Sequence, residues 1–205
     1  MTASQVVHVI DDDVEVRQSL AFLLSTAGLA VRVYESAVAF LAAAREGIAE
    51  GCIVSDIRMP EMDGIELLHE LRGLKIGLPV IVITGHGDVP LAVASMKAGA
   101  LDFIEKPFDD EALLSAIHLA LRRQVGDSRK RAEIAAIRDR LKSLSARERE
   151  VLDLLAAGKP NKIMAHELGI SSRTVEIYRA NVMTKMQAAS LSDLVKMVLV
   201  EGGGA

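Results

Sequence analysis

The sequence predicts an α/β chain: a five-stranded, parallel, doubly wound sheet, then a helical linker, then an all-α unit of four helices. Three observations predict it. Apolar runs of strand length alternate with helix-period segments five times over the first 125 residues. From Leu144 onward every segment has the helical period. Charge divides at the same place: residues 1–125 hold 10 Lys+Arg and 18 Asp+Glu, a net of −8, whereas residues 126–205 hold 14 and 10, a net of +4. The acidic half suits a cation and the basic half suits phosphate.

The elements follow in order. Val6–Ile10 is a short apolar strand that runs into Asp11-Asp12-Asp13. Val16, Leu20, Leu23, Leu24 and Ala27 then recur at helical spacing, and Gly28 ends that helix. Ala30–Tyr34 reads as a strand, and Ser36 is placed to cap the alanine-rich helix that runs toward Arg45. Cys52–Asp56 is the third strand, with a helix over Ile65–Leu71. Pro79–Thr84 is a continuous apolar run of the kind buried on both faces, followed by a helix over Val89–Ala98 that Gly99 stops. Asp102–Glu105 is the short fifth strand, and Glu111–Arg123 the last helix of this half. Ile134, Ile137 and Leu141 share one helical face, so Val125–Ser143 reads as a helical linker. The expected division is residues 1–123, a linker over 124–143, and residues 144–205.

In the second unit, Ser145-Ala146-Arg147-Glu148 is a capping-box sequence opening a helix over Ala146–Ala157. Lys162–Leu168 is a short helix closed by Gly169. Ser171 or Ser172 caps Arg173–Met186, and a last helix runs from Ser190 to near Val200, with Gly202–Gly204 as a frayed tail. Two short helices joined by a Gly-containing turn are the helix-turn-helix signature.

Bulk properties exclude several classes. Half of the 205 residues are apolar and a quarter charged, a globular composition with aliphatic cores because aromatics are 3% and Trp is absent. No apolar run is long enough to span a bilayer, and the first five residues lack the pattern of a secretory leader, so no membrane partner is expected. The single cysteine, Cys52, fits a reduced, cytoplasmic compartment.

The chemistry lies at the strand ends. Strand one delivers Asp11 and Asp12, strand three Asp56, strand four Thr84 and strand five Lys106. In an open parallel sheet these ends share one edge, where ligands bind. Taken singly, three consecutive acids suggest a turn or a helix cap, Lys106 a surface lysine and Thr84 an ordinary strand end. Together they make a carboxylate cluster that a hard divalent cation relieves, with a carboxylate free to attack phosphorus and an ammonium to neutralise it. Gly85-His86-Gly87-Asp88 lacks the spacing and lysine of a phosphate-binding glycine loop and reads as a mobile loop. His86 has no second His or Cys at ligand spacing.

On Asp11-Asp12, Ser55-Asp56-Ile57-Arg58-Met59-Pro60 with Asp63-Gly64, Thr84-Gly85, and Phe103-Ile104-Glu105-Lys106-Pro107-Phe108, residues 5–123 resemble the response-regulator receiver domains. The resemblance implies a flavodoxin-like fold and phosphoryl transfer from a histidine kinase to Asp56. It implies Mg²⁺ on Asp11, Asp12, Asp56 and the backbone carbonyl of Arg58. Thr84 and Lys106 would contact the phosphoryl oxygens, Phe103 would be the switch aromatic, and Lys106-Pro107 a cis peptide. The chain would catalyse only its own phosphorylation and dephosphorylation. An aspartate-nucleophile phosphohydrolase would need a second Asp where Arg58 stands. A degenerate interaction module would not keep the acidic cluster, Thr84 and Lys106.

In the second unit, projection at the helical period puts Val175, Val182 and Met186 on one side. Arg173, Ile177, Ala180 and Thr184 fall opposite, flanked by Glu176 and Asn181. That mixed face fits the major groove: Glu accepts from cytosine, Asn pairs with adenine, Ile touches a thymine methyl. Lys162, Tyr178, Arg179 and Lys185 fall where phosphate contacts would position the helix. Leu144–Leu152, Asn161–Ala165, and Leu168–Ser171 through Thr174-Val175 resemble the LuxR/NarL output domain, departing from it at Met164 and Tyr178. That implies a promoter-DNA contact set including Thr174, with RNA polymerase as a further partner. The run Thr84–Pro90 is similar to the nitrogen-fixation branch of the FixJ/NarL family. It implies an oxygen-sensing, FixL-like kinase and activation of nitrogen-fixation or microaerobic genes. The expected mechanism is a two-state switch, in which a monomer becomes a homodimer on phosphorylation.

Overall fold

The computed structural model describes residues 5–85 and 89–202. His86–Asp88, in the predicted loop, and Gly203-Gly204 of the predicted tail lie outside the described residues. The chain divides into two compact units, Met1–Asp127 and Ser128–Ala205.

The first unit alternates β1 (Val6–Ile10), α1 (Val14–Thr26), β2 (Ala30–Tyr34), α2 (Ala37–Glu46), β3 (Gly51–Asp56), α3 (Gly64–Gly73), β4 (Val80–Thr84), α4 (Val89–Ala98), β5 (Asp102–Glu105) and the start of α5 (Asp110–Lys142). The strands are all parallel in the order β2-β1-β3-β4-β5. Alternate side chains feed two cores. Ile53, Val80 and Val82 pack with Phe40 of α2 and Leu67 of α3 on one face. Cys52, Val54, Ile81 and Ile83 pack with Leu24 of α1 and Leu113 and Ile117 of α5 on the other. Burial on both faces is why these strands are apolar throughout, and each such side chain contributes about 1.5–3 kcal/mol.

Local chemistry sets the helix starts. Asp13 caps α1, accepting from the backbone of Glu15 and Val16, so one of the three consecutive acids is the predicted cap. Ser36 caps α2, and Asp63 with Glu66 forms a capping box on α3. A histidine sits inside the core: His8 of β1 is fully buried against Tyr34 and Phe40. Its Nε2–H donates to the Ala49 carbonyl at 3.1 Å, leaving Nδ1 to accept from the Tyr34 hydroxyl at 3.3 Å. Burial holds its pKa below the ordinary 6.5.

The second unit holds the end of α5, then α6 (Ala146–Ala156), α7 (Asn161–Leu168), α8 (Ser172–Met186) and α9 (Leu191–Gly202). Ser145 and Glu148 form the capping box of α6, and Ser171 caps α8. Between α7 and α8, Gly169 adopts φ +66, the left-handed value that lets the chain turn within a few residues. Met164, where a small residue is common in the resembling family, is fully buried in this core.

One expectation differs from the structure. The last helix of the first half and the linker helix are a single helix of 33 residues. Gly126-Asp127-Ser128 lies inside it, but a glycine costs a helix only about 1 kcal/mol and no proline interrupts the run. Ile137 and Leu141 on its last turns are 3% and 8% exposed and belong to the core of the second unit.

Candidate functional site

Because the strands are parallel, their carboxyl ends share one edge. There the oxygens of Asp11, Asp12 and Asp56 come within 4.8 Å of one another. Asp11 is buried: one carboxylate oxygen accepts from the Asp13 N–H at 2.9 Å, and the other from Lys106 Nζ at 3.0 Å. The Arg17 guanidinium donates to the Asp11 carbonyl at 2.6 Å, pinning the turn. Asp12 is exposed.

Asp56 is the group under tension. Its side chain is 13% exposed, and Oδ1 lies 3.6 Å from Lys106 Nζ. That oxygen is buried with no hydrogen-bond partner. Burial raises the Asp56 pKa, the Lys106 charge opposes the rise, and the charges of Asp11 and Asp12 add to it. One ammonium faces three carboxylates, so the cluster is short of positive charge. A buried oxygen without a donor and an uncompensated acidic cluster both fit a hard divalent cation. Asp11, Asp12 and Asp56 are the side chains able to hold it; Arg58 follows two residues after Asp56 with its side chain exposed.

Thr84 ends β4 and is 1% exposed, and its carbonyl accepts the Lys106 N–H at 2.7 Å, which sets where Lys106 leaves β5. The Lys106–Pro107 peptide is cis. Phe103 is half-buried against the core that contains Phe40. Gly64, quoted in the motif but without a role, opens α3 against the end of β3. A Cβ there would stand 2.9 Å from the Asp56 carbonyl oxygen and 3.0 Å from Ile57 Cα.

In the second unit the helical projection separates inside from outside as expected. Val175, Val182 and Met186 are fully buried, while Arg173, Glu176, Ile177, Ala180, Asn181 and Thr184 are exposed, Ile177 to 56%. Lys162 on α7 is exposed and Thr174 half-buried. Three residues expected at phosphates have internal contacts. Tyr178 packs against the core, Arg179 donates to the Asn161 side chain, and Lys185 bonds to Glu148. The Glu148–Lys185 pair spans 37 residues of sequence, and only the capping half of the role of Glu148 was readable.

Residues 7–118 match the response regulator receiver domain, and residues 142–198 match the bacterial regulatory proteins of the luxR family. The chain belongs to the response regulators. This response regulator is 54% identical over 202 residues to the transcriptional regulatory protein FixJ of Azorhizobium caulinodans, covering 98% of this chain and 95% of that one. Among solved structures it is similar to the response regulator StyR, with a TM-score of 0.86, 42% identity, and 96% and 98% of the two chains covered. It is also similar to full-length FixJ from B. japonicum, with a TM-score of 0.60, 49% identity and both chains covered completely. A receiver domain followed by a LuxR-type DNA-binding domain makes the chain a transcription regulator, and the family resemblance read from the motifs is borne out. Among the described residues no helix is long and apolar enough to cross a membrane.

Proposed function

We propose that this response regulator is switched by phosphorylation of Asp56. The observation that carries the reading is the buried Asp56 Oδ1, without a hydrogen-bond partner and facing Lys106 at 3.6 Å. A phosphohistidine on a sensor histidine kinase is the donor. An Asp56 oxygen attacks phosphorus in line; the P–O bond forms as the P–N bond breaks, and the bonding pair stays on the imidazole nitrogen. The Lys106 ammonium neutralises charge on the transferred group, and the Thr84 hydroxyl donates to it. Mg²⁺ on Asp11, Asp12, Asp56 and the Arg58 carbonyl supplies further positive charge when bound. Catalysis by the chain is confined to its own phosphorylation and dephosphorylation.

Phosphorylation draws Thr84 and Phe103 inward and favours pairing of two receivers, the unphosphorylated chain being a monomer. The pair brings two copies of α8 to two half-sites of promoter DNA, raising affinity by effective concentration. Receiver chemistry belongs to residues 1–123 and DNA reading to residues 144–205, joined through residues 124–143 in the cytoplasm. The exposed Arg173, Glu176, Ile177, Ala180, Asn181 and Thr184 face the bases, and Lys162 and Thr174 the backbone. The likeness to FixJ supports activation of nitrogen-fixation or microaerobic genes with RNA polymerase, under an oxygen-sensing kinase.

Intact-mass measurement after brief exposure to acetyl phosphate and Mg²⁺ tests the switch. One phosphoryl group is expected on the parent and none on Asp56→Asn. Equal addition to both would place the acceptor elsewhere.

A further inference from the structure

The end of α8 is tied at three points to the segment where α5 gives way to α6. Arg140, half-buried on α5, donates from Nη1 to the Met186 carbonyl at 3.2 Å. That carbonyl belongs to the last turn of α8, where unsatisfied carbonyls concentrate partial negative charge, so a guanidinium is favoured there twice over. Lys185, one residue earlier, donates to Glu148 Oε2 at 2.7 Å and reaches the Ser143 carbonyl at 3.3 Å.

Glu148 is 4% exposed, and the same oxygen accepts the Ser145 N–H at 2.7 Å. One buried carboxylate therefore both starts α6 and anchors the end of α8. The Lys185 ammonium is the largest cause holding its pKa below the ordinary range. If the last turn of α8 moved away, the Glu148 carboxylate would lose its cation and one of its donors, so the pair favours that turn staying in place.

We propose that Lys185 and Arg140 are positioning residues for DNA reading. They fix the end of α8 so that its exposed face meets the groove in one orientation, and Lys185 is not a phosphate contact. This rests on the reading of α8 as the helix that enters the groove. The two roles differ in an observable way. A lysine on a phosphate releases a counterion, so its removal lowers the slope of log affinity against log salt by about 0.9. A positioning lysine leaves that slope unchanged.

The test uses the intact chain and a duplex selected from random sequence by the parent, with Kd measured over a series of salt concentrations and folding followed by circular dichroism. Lys185→Met and Arg140→Met are each expected to fold and to bind about tenfold more weakly, comparable to one wrong base pair, with the parent salt slope. Arg140→Lys should restore binding. Lys185→Met combined with Glu148→Gln should bind no more weakly than Lys185→Met alone, because the two residues act through each other. A slope lowered by about 0.9 in Lys185→Met would make it a phosphate contact and overturn the proposal. So would parent-like binding by the folded variants, which leaves only a structural role. Asn181→Ala separates the two levels. Undiminished sequence-specific binding in that variant overturns the reading of α8 itself; loss there, with parent-like Lys185→Met and Arg140→Met, overturns the positioning role alone.

Discussion

The acidic edge of the sheet and the outward face of α8 carry function by opposite constructions. At the sheet edge, Asp11, Asp56, Thr84 and Lys106 arrive from four strand ends spread over 95 residues, and burial leaves the Asp56 charge incompletely compensated. On α8 the residues lie within a dozen positions of one another and their polar groups stay in water. The first site stores an unmet demand for positive charge, which a cation or a phosphoryl group changes sharply. The second stores nothing and depends on where its backbone is held. A switch needs the former kind of site and a reader needs the latter.

The largest expected effect breaks the first construction by moving its strands. Gly51 pairs with Val6 at the start of β3, and a Cβ on it would lie 1.8 Å from the Val6 carbonyl oxygen. That backbone cannot give way, so Gly51→Ala should cost the first unit about 3 kcal/mol or more. Calorimetry should show the first unit melting earlier while the second is unchanged; a parent-like melt would mean the β1–β3 pairing is looser than described. A smaller effect sharpens the second construction. Ile177 is 56% exposed, so Ile177→Ala should change stability by no more than about 0.5 kcal/mol. It should nonetheless weaken binding to selected DNA by about 1–3 kcal/mol in fluorescence anisotropy. Unchanged affinity would remove Ile177 from the reading face.

The smallest effect concerns acid. His8 has its folded pKa held below 6.5, so as pH falls past 6.5 the unfolded chain takes the proton first. The first unit therefore loses stability from 6.5 downward. Glu148 has its folded pKa below the ordinary 4.5, so its contribution to the second unit persists above 4.5 and disappears only as pH falls further through the folded value. Thermal melts between about pH 7.5 and 5.5 should show the first unit weakening and the second flat, with the slope reduced in His8→Asn. A slope unaffected by that substitution would assign the acid response to other groups.

Much of this was legible in the sequence, for reasons that differ between the regions. Charged residues at the ends of apolar strands are conspicuous because burial makes them rare, so Asp11, Asp56 and Lys106 could be placed together before any coordinates. Caps at Ser36, Ser145 and Ser171 could be read because each acts within three residues of itself. The continuity of α5 could not. A glycine within a charged stretch resembles a boundary, and only the tertiary burial of Ile137 and Leu141 shows how far the helix serves the second core. The internal bonds of Lys185 and Arg179 could not be read for a related reason: an exposed cation and one bonded to a distant partner have the same helical projection.

The burial of Ile137 and Leu141 bears on how such a chain exchanges parts. Grafting this output half onto a foreign receiver looks natural at Leu144, where the capping sequence of α6 begins. A seam there would leave behind both side chains, the Arg140 guanidinium that caps α8 and the Ser143 carbonyl that Lys185 reaches. Removing a buried Ile or Leu side chain costs about 2–5 kcal/mol, and a domain is stable by only about 5–15. A viable hybrid carries its seam upstream of Ile137, so the last turns of α5 travel with the DNA reader as a hereditary unit, whatever receiver precedes them.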